Sequence, residues 1–106
     1  MTALPQQCEV VVLGGGVIGV SVAYHLADAG ITDVVLLERK ELTSGTTWHA
    51  AGLVGQLRTS INMTKLARYT SELYRGLEAE TGQATGYRQC GSISIAATAE
   101  RFEELK

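Results

Sequence analysis

The stretch Glu9-Val10-Val11-Val12-Leu13-Gly14-Gly15-Gly16-Val17-Ile18-Gly19, continued to Glu38, decides how this chain folds. Val10 to Leu13 is short, apolar and β-branched, the composition of a strand buried on both faces, and the first strand is expected to run from Gln6 to Leu13. Gly16 to Ala29 reads as a helix, with small and apolar residues at helical spacing from Val17 onward. It stops at Gly30, a C-terminal cap. A second apolar run, Val34-Val35-Leu36-Leu37, ends in an acid, Glu38. Strand, glycine turn, helix, strand and acid is the order that a dinucleotide-binding unit requires. The bland alternative is a glycine-rich turn that binds nothing.

Each glycine of the motif has a task in that reading. Gly14 permits the tight turn off the strand. Gly16 has no side chain to keep a pyrophosphate from the backbone, and Gly19 lets the helix lie close to the sheet. The amides that open the helix, at Val17 and Ile18, then face the phosphates from its positive end. Glu38 lies about 20 residues beyond the turn, where a carboxylate accepts both hydroxyls of an adenosine ribose. Arg39 and Lys40 follow at once, and a base there can contact the adenosine side. On a second view it meets the 2′-phosphate of NADP, but a carboxylate at position 38 would repel that phosphate.

The chain has 106 residues, 45% hydrophobic and 19% charged, with a net charge of −2. That is globular composition, and it gives no case for nucleic acid or an anionic membrane as partner. Met1 to Gln7 has neither the apolar core of a signal peptide nor the arginine content of a transit peptide. No apolar run reaches the roughly 20 residues of a membrane span. The expectation is therefore cytoplasmic. Cys8 and Cys90 form no disulfide framework and are expected to be buried, inert thiols. His25 and His49 have no clustered ligand partners, so no metal site is expected. His25, in mid-helix, reads as a satisfied packing residue.

One βαβ unit and some sixty further residues cannot close a doubly wound sheet. The chain is expected to be the N-terminal portion of a larger protein. Its fold class is α/β: a Rossmann-like βαβ unit, a long helix, then the first strand of a substrate-binding part, an incomplete fold. The division expected is 1–86 for the nucleotide-binding part and 87–106 for the start of the substrate-binding region.

The second informative stretch is Glu41 to Gly55, dense in hydroxyls and small residues and carrying the only Trp. Ser44, Thr46 and Thr47 can donate hydrogen bonds to phosphates. On composition alone it reads equally as a surface loop. The string Leu42-Thr43-Ser44-Gly45-Thr46-Thr47-Trp48-His49-Ala50-Ala51-Gly52-Leu53, however, resembles the flavin-attachment segment of the sarcosine and dimethylglycine dehydrogenase family. Those are FAD enzymes of the D-amino-acid-oxidase-like superfamily. The Gly14/Gly16/Gly19 turn, Val34 to Lys40, Leu77 to Gly82 and Gly91-Ser92-Ile93 are similar to the same family.

The resemblance implies an FAD-binding fold and oxidation of the N-methyl group of sarcosine, dimethylglycine or a similar N-methyl amine. It implies that His49 bonds covalently to the 8α carbon of the flavin. A neutral imidazole is a competent nucleophile near pH 7. The alternative is a histidine that lines the flavin or sits solvated. The residues assigned to cofactor binding are Gly14, Gly16, Val17, Ile18, Gly19, Glu38, Arg39, Ser44, Thr46, Thr47, His49, Gly52 and Leu53; no catalytic residue is assigned. The family further implies an electron acceptor, either a flavoprotein carrier or oxygen, and tetrahydrofolate on a further C-terminal domain. Two rival readings are a non-catalytic regulatory relative, against which Trp48-His49 argues, and an NAD(P) dehydrogenase.

Downstream, Ser60 to Thr81 reads as a long helix with an apolar stripe of Met63, Leu66, Ala67, Thr70, Leu73, Tyr74 and Leu77. Asn62 or Ser60 caps its start and Gly82 its end. Arg58 could meet a substrate carboxylate, though a surface ion pair is the simpler reading. Ser92-Ile93-Ser94-Ile95 alternates as a strand with one wet face, and Thr98 caps a final helix.

Overall fold

A computed structural model describes residues 4–106, so the first three residues of the polar leader lie outside it. Two strands, β1 (Val10–Leu13) and β2 (Val34–Leu37), pair in parallel; β1 starts at Val10 rather than the expected Gln6, because Val34, the first residue of its partner, lies opposite Val10. Val10 lies opposite Val34 and Leu13 opposite Leu37. A parallel pair needs a crossover, and α1 (Val17–Asp28) supplies it. The pair is fastened at both ends. The Glu9 amide donates to the Asp33 carbonyl at 3.1 Å and to Asp33 Oδ2 at 3.0 Å. At the far end the Gly14 amide donates to the Leu37 carbonyl at 2.8 Å.

The helix ends as its sequence predicts. Gly30 takes φ +85°, its amide donates to Ala27 O at 2.9 Å, and the Ile31 amide donates to Leu26 O at 2.9 Å. This doubled closure is the Schellman arrangement, which needs a left-handed residue where Gly30 sits. The expectation that β1 is buried on both faces is corrected. Val12 is 8% exposed, whereas Leu13 is 79% exposed. The reason is geometric: α1 covers one face of the two strands, and alternate side chains point to opposite faces.

The chain divides into two compact units, one ending at Gly52 and one running from Leu53 to Lys106. In the second unit α2 spans Ile61–Thr81. Of the two capping candidates Ser60 does the work, its hydroxyl accepting from the Met63 amide at 3.3 Å. Gly82 closes the other end at φ +70°. The expected stripe of α2 holds at Ala67, Thr70, Leu73, Tyr74 and Leu77, all half-buried. The protected face centres on Ser71, fully buried and hydrogen-bonded to the Tyr87 hydroxyl, whose ring meets Tyr74 at 5.6 Å. Met63 and Leu66 are exposed.

A short helix, α3 (Ala99–Glu104), follows, with Thr98 accepting from the Arg101 amide as cap. The expected strand at Ser92-Ile93-Ser94-Ile95 is also corrected. These residues join no ladder, and Ile93 is 94% exposed. Alternation marks residues suited to a strand, but a neighbouring strand with free hydrogen-bonding groups must make one. The thiols differ from expectation as well: Cys8 is half-buried and Cys90 exposed. Arg58 forms no ion pair among the described residues; its backbone instead exchanges hydrogen bonds with the Thr64 hydroxyl. No helix among the described residues is long and apolar enough to cross a membrane.

Candidate functional site

The glycine turn between β1 and α1 has little room in it. Gly14 stands at φ +101°, a conformation that side chains with a Cβ rarely adopt. A Cβ on Gly19 would overlap the Gly14 carbonyl oxygen and touch Val12, so only glycine lets α1 settle on the strand. Gly15, to which the sequence assigned no task, has the least room of the three in the triplet. It is buried, and a Cβ there would strike the Leu42 side chain and the Glu38 Cβ. The available signal was the third glycine itself, since the motif asks for only two of the three.

Gly15 is also the node of the polar network. Its amide donates to Glu38 Oε2 at 2.7 Å, and its carbonyl accepts from the Thr43 amide at 2.9 Å. Glu38 Oε1 accepts from the Lys40 amide at 2.9 Å. The Gly15 amide foremost, then the Lys40 amide, hold the Glu38 carboxyl below its ordinary value; partial burial opposes them, and the adjacent Arg39 amide and charge add to the lowering. A carboxylate offers about four acceptor positions, so Glu38 retains capacity for ligand hydroxyls after these two bonds. Arg39 is exposed beside it.

Gly16 is the N-cap of α1 and offers no side chain to the first turn. The Val17 amide is met instead from 30 residues away, donating to Thr47 Oγ1 at 2.9 Å. Ile18 and Gly19 follow, within the first turn, where amides have no intrahelical acceptor and the helix dipole is positive. Val17 and Ile18 keep their side chains exposed.

Thr47 belongs to a 3-10 turn, Thr46–His49, that follows Gly45. The approach to it is bent by Thr43 at φ +64° and by a Ser44 amide bond to the Glu41 carbonyl at 3.2 Å. His49 Nδ1 lies 3.1 Å from the Gly45 carbonyl oxygen. A carbonyl only accepts, so Nδ1 is the donor in this contact and Nε2 is the nitrogen left facing outward from it. The Trp48 ring packs against the imidazole, centroids 4.1 Å apart. Ser44, Thr46 and His49 are exposed, and Gly52 closes the unit at φ +72°. The structure thus gathers Gly14 to Gly19, Glu38, Arg39 and the 43–49 segment in one unit. Leu53 belongs to the second unit.

These groups suit a dinucleotide with a flavin. A cradle kept free of Cβ atoms opens onto helix amides, a depressed carboxylate with spare acceptor positions stands beside it, and an exposed imidazole lies on the segment bonded to that cradle. The fold and site define a dinucleotide-binding βαβ unit. The chain belongs to the FAD-dependent oxidoreductase family, which it matches over residues 9–106. It is 54% identical to rat dimethylglycine dehydrogenase over 94% of its length, and 49% identical to human sarcosine dehydrogenase over 97%. It is equally 49% identical to the mouse pyruvate dehydrogenase phosphatase regulatory subunit over 97%. The chain spans 12% of the first of these relatives and 11% of the other two. In three dimensions it resembles an L-amino acid deaminase from Proteus vulgaris, with a TM-score of 0.84 and 25% identity over 97% of this chain and 24% of that one.

Proposed function

We propose that this chain holds the FAD of a flavin-dependent amine dehydrogenase or oxidase that acts on the N-methyl group of dimethylglycine, sarcosine or a similar small amine. The names of the dimethylglycine and sarcosine dehydrogenase relatives support the substrate class. The bound flavin supplies the acceptor for a hydride from the carbon beside nitrogen. The chain's own residues hold and orient it. Gly14, Gly16 and Gly19 keep the backbone close to the diphosphate, and the amides of Ile18 and Gly19 donate to it. Glu38 accepts the ribose hydroxyls, with Arg39 alongside. Thr46, Thr47 and Ser44 offer hydroxyls, and Gly52 ends the cofactor-lining segment of this unit.

His49 attaches to the flavin through Nε2, the nitrogen left facing outward by the Nδ1 bond to Gly45. The electrons then leave to a flavoprotein carrier or to oxygen, and tetrahydrofolate is bound by a further domain. One observation carries this reading: the turn bearing His49 is hydrogen-bonded to the first amide of α1, the end of the helix that faces a phosphate.

The test is acid denaturation of the flavin-loaded full chain. The yellow colour is expected to remain in the pellet, and the flavin-bearing peptide to contain His49. Complete release into the supernatant would refute the covalent bond. Anaerobic addition of dimethylglycine or sarcosine is expected to bleach the flavin. A spectrum unchanged by every N-methyl amine would instead favour the regulatory relative, which identity alone does not separate from the enzymes.

A further inference from the structure

We propose that Thr47 is the positioning residue for flavin attachment: its hydroxyl, held by the Val17 amide, fixes the turn that presents His49. The inference rests on the covalent reading above and names the residue on which that bond depends.

The turn has little to hold it in place. Thr46–His49 is a single 3-10 turn closed by the Ala50 amide on the Thr47 carbonyl at 3.2 Å. Such short pieces have poor hydrogen-bond geometry and rely on their surroundings. Thr46, Trp48 and His49 are exposed, whereas Thr47 is half-buried. Among the described residues, Thr47 makes the one side-chain hydrogen bond from this turn to α1, at 2.9 Å. A second bond lies upstream, where the Thr43 amide meets the Gly15 carbonyl. Gly16 preserves the contact, since a Cβ there would come within 3.0 Å of Thr47 Oγ1.

The geometry links the anchor to the imidazole without placing them on one side. With about three residues per turn, position 49 lies about 240° round from position 47. Anchoring Thr47 on α1 therefore directs His49 away from the helix terminus, and the Nδ1 bond to Gly45 orients the ring. Attachment joins Nε2 to the flavin 8α carbon. One C–H bond of that methyl group breaks, and two electrons pass to dioxygen together with two protons, one from that C–H bond and one released from the imidazole once Nε2 is alkylated, to give hydrogen peroxide. The Thr47 hydroxyl takes no part in these bond changes. It sets where Nε2 stands.

The test follows covalent flavin incorporation, by fluorescence of the acid-precipitated protein, after saturating FAD is added to flavin-depleted full chain. Thr47→Val keeps the shape and removes the acceptor. It is expected to slow incorporation about fivefold, the effect of one ordinary hydrogen bond, measured per FAD bound. Thr47→Ser is expected to restore the rate to within about twofold of the natural chain. Val17→Pro removes the donor at a helix position that tolerates proline. It should reproduce the Thr47→Val rate, and the double variant should be no slower than either single one.

A natural rate in Thr47→Val, or a Thr47→Ser rate as low as that of valine, would overturn the proposal and leave covalent attachment standing. Additive losses in the double variant would overturn it too. A natural chain that never forms the adduct would overturn both the attachment and the role of Thr47. If Thr47→Val lowers the yield of folded protein, seen as a lost thermal transition, Val17→Pro and Thr47→Ser decide the matter.

Discussion

The glycine turn and α2 are built on opposite principles. The turn is held by polar bonds between residues far apart in sequence: Gly15 to Glu38 over 23 positions and Val17 to Thr47 over 30. In α2 most side-chain bonds span three or four positions, as in Ser60 to Met63, Arg68 to Glu72 and Thr70 to Leu66; Thr64 to Arg58 spans six and Ser71 to Tyr87 sixteen. Local bonds make a helix from its own residues. Long-range bonds bring three separate segments to one place, which is what a ligand site needs. Glycine means different things in the two settings: Gly19 is forced by a neighbouring carbonyl, whereas a Cβ on Gly76 would meet nothing within 4 Å.

The sharpest way to break this contrast is a pair of identical substitutions. Gly19→Ala drives a methyl into the Gly14 carbonyl and is expected to cost about 3 kcal/mol or more, with loss of FAD binding. Thermal unfolding and flavin titration check it, and a stable, flavin-binding variant would show the close approach to be dispensable.

Glu38→Gln comes next. It removes the charge that draws the Gly15 and Lys40 amides, so FAD affinity should fall severalfold while far-UV circular dichroism stays natural. The same carboxylate gives a pH dependence. Its folded value is depressed, so its contribution is fully present above the unfolded carboxylate value. That contribution is lost as pH falls through the lower, folded value, and thus in the acid range below about pH 4. The Gly15 amide resonance, followed by NMR, should move with that titration in the natural chain and not in Glu38→Gln.

Gly76→Ala, by contrast with Gly19→Ala, should stabilise α2 by up to about 1 kcal/mol, because alanine restricts the unfolded chain and meets no obstacle. A loss of stability would point to a packing demand at position 76. The smallest effect is expected at the exposed Arg68–Glu72 pair, 2.9 Å apart. Arg68→Ala should change stability by less than about 0.5 kcal/mol, and raising the salt concentration should erase the difference.

Much of the site was legible because its residues have local reasons to be what they are. Gly14 needs a positive φ, Gly19 needs to be small, and Glu38 ends an apolar run. What stayed hidden is relational. Nothing in the spacing of Gly15 announces that its amide meets Glu38, or that Leu42 packs where its Cβ would be. Thr47 reads as one hydroxyl among several until the fold selects it over Ser44 and Thr46 to meet the Val17 amide. The misreadings share that cause: Ile93 and Ile95 alternate properly for a strand, and Val11 and Leu13 are apolar enough for a core, yet burial and pairing belong to a neighbour.

By itself the sequence determined the βαβ order, the caps at Gly82 and Thr98, and the glycines of the turn, and it narrowed the start of α2 to Ser60 or Asn62. These follow from backbone conformation and hydrogen bonds within a few residues, which side-chain chemistry sets directly. Only the tertiary structure decided that Gly15 joins Glu38 to Thr43, and that Thr47 carries the His49 turn onto the start of α1. Contacts across 20 to 30 residues depend on where the chain returns, and a residue's own chemistry does not say where that is.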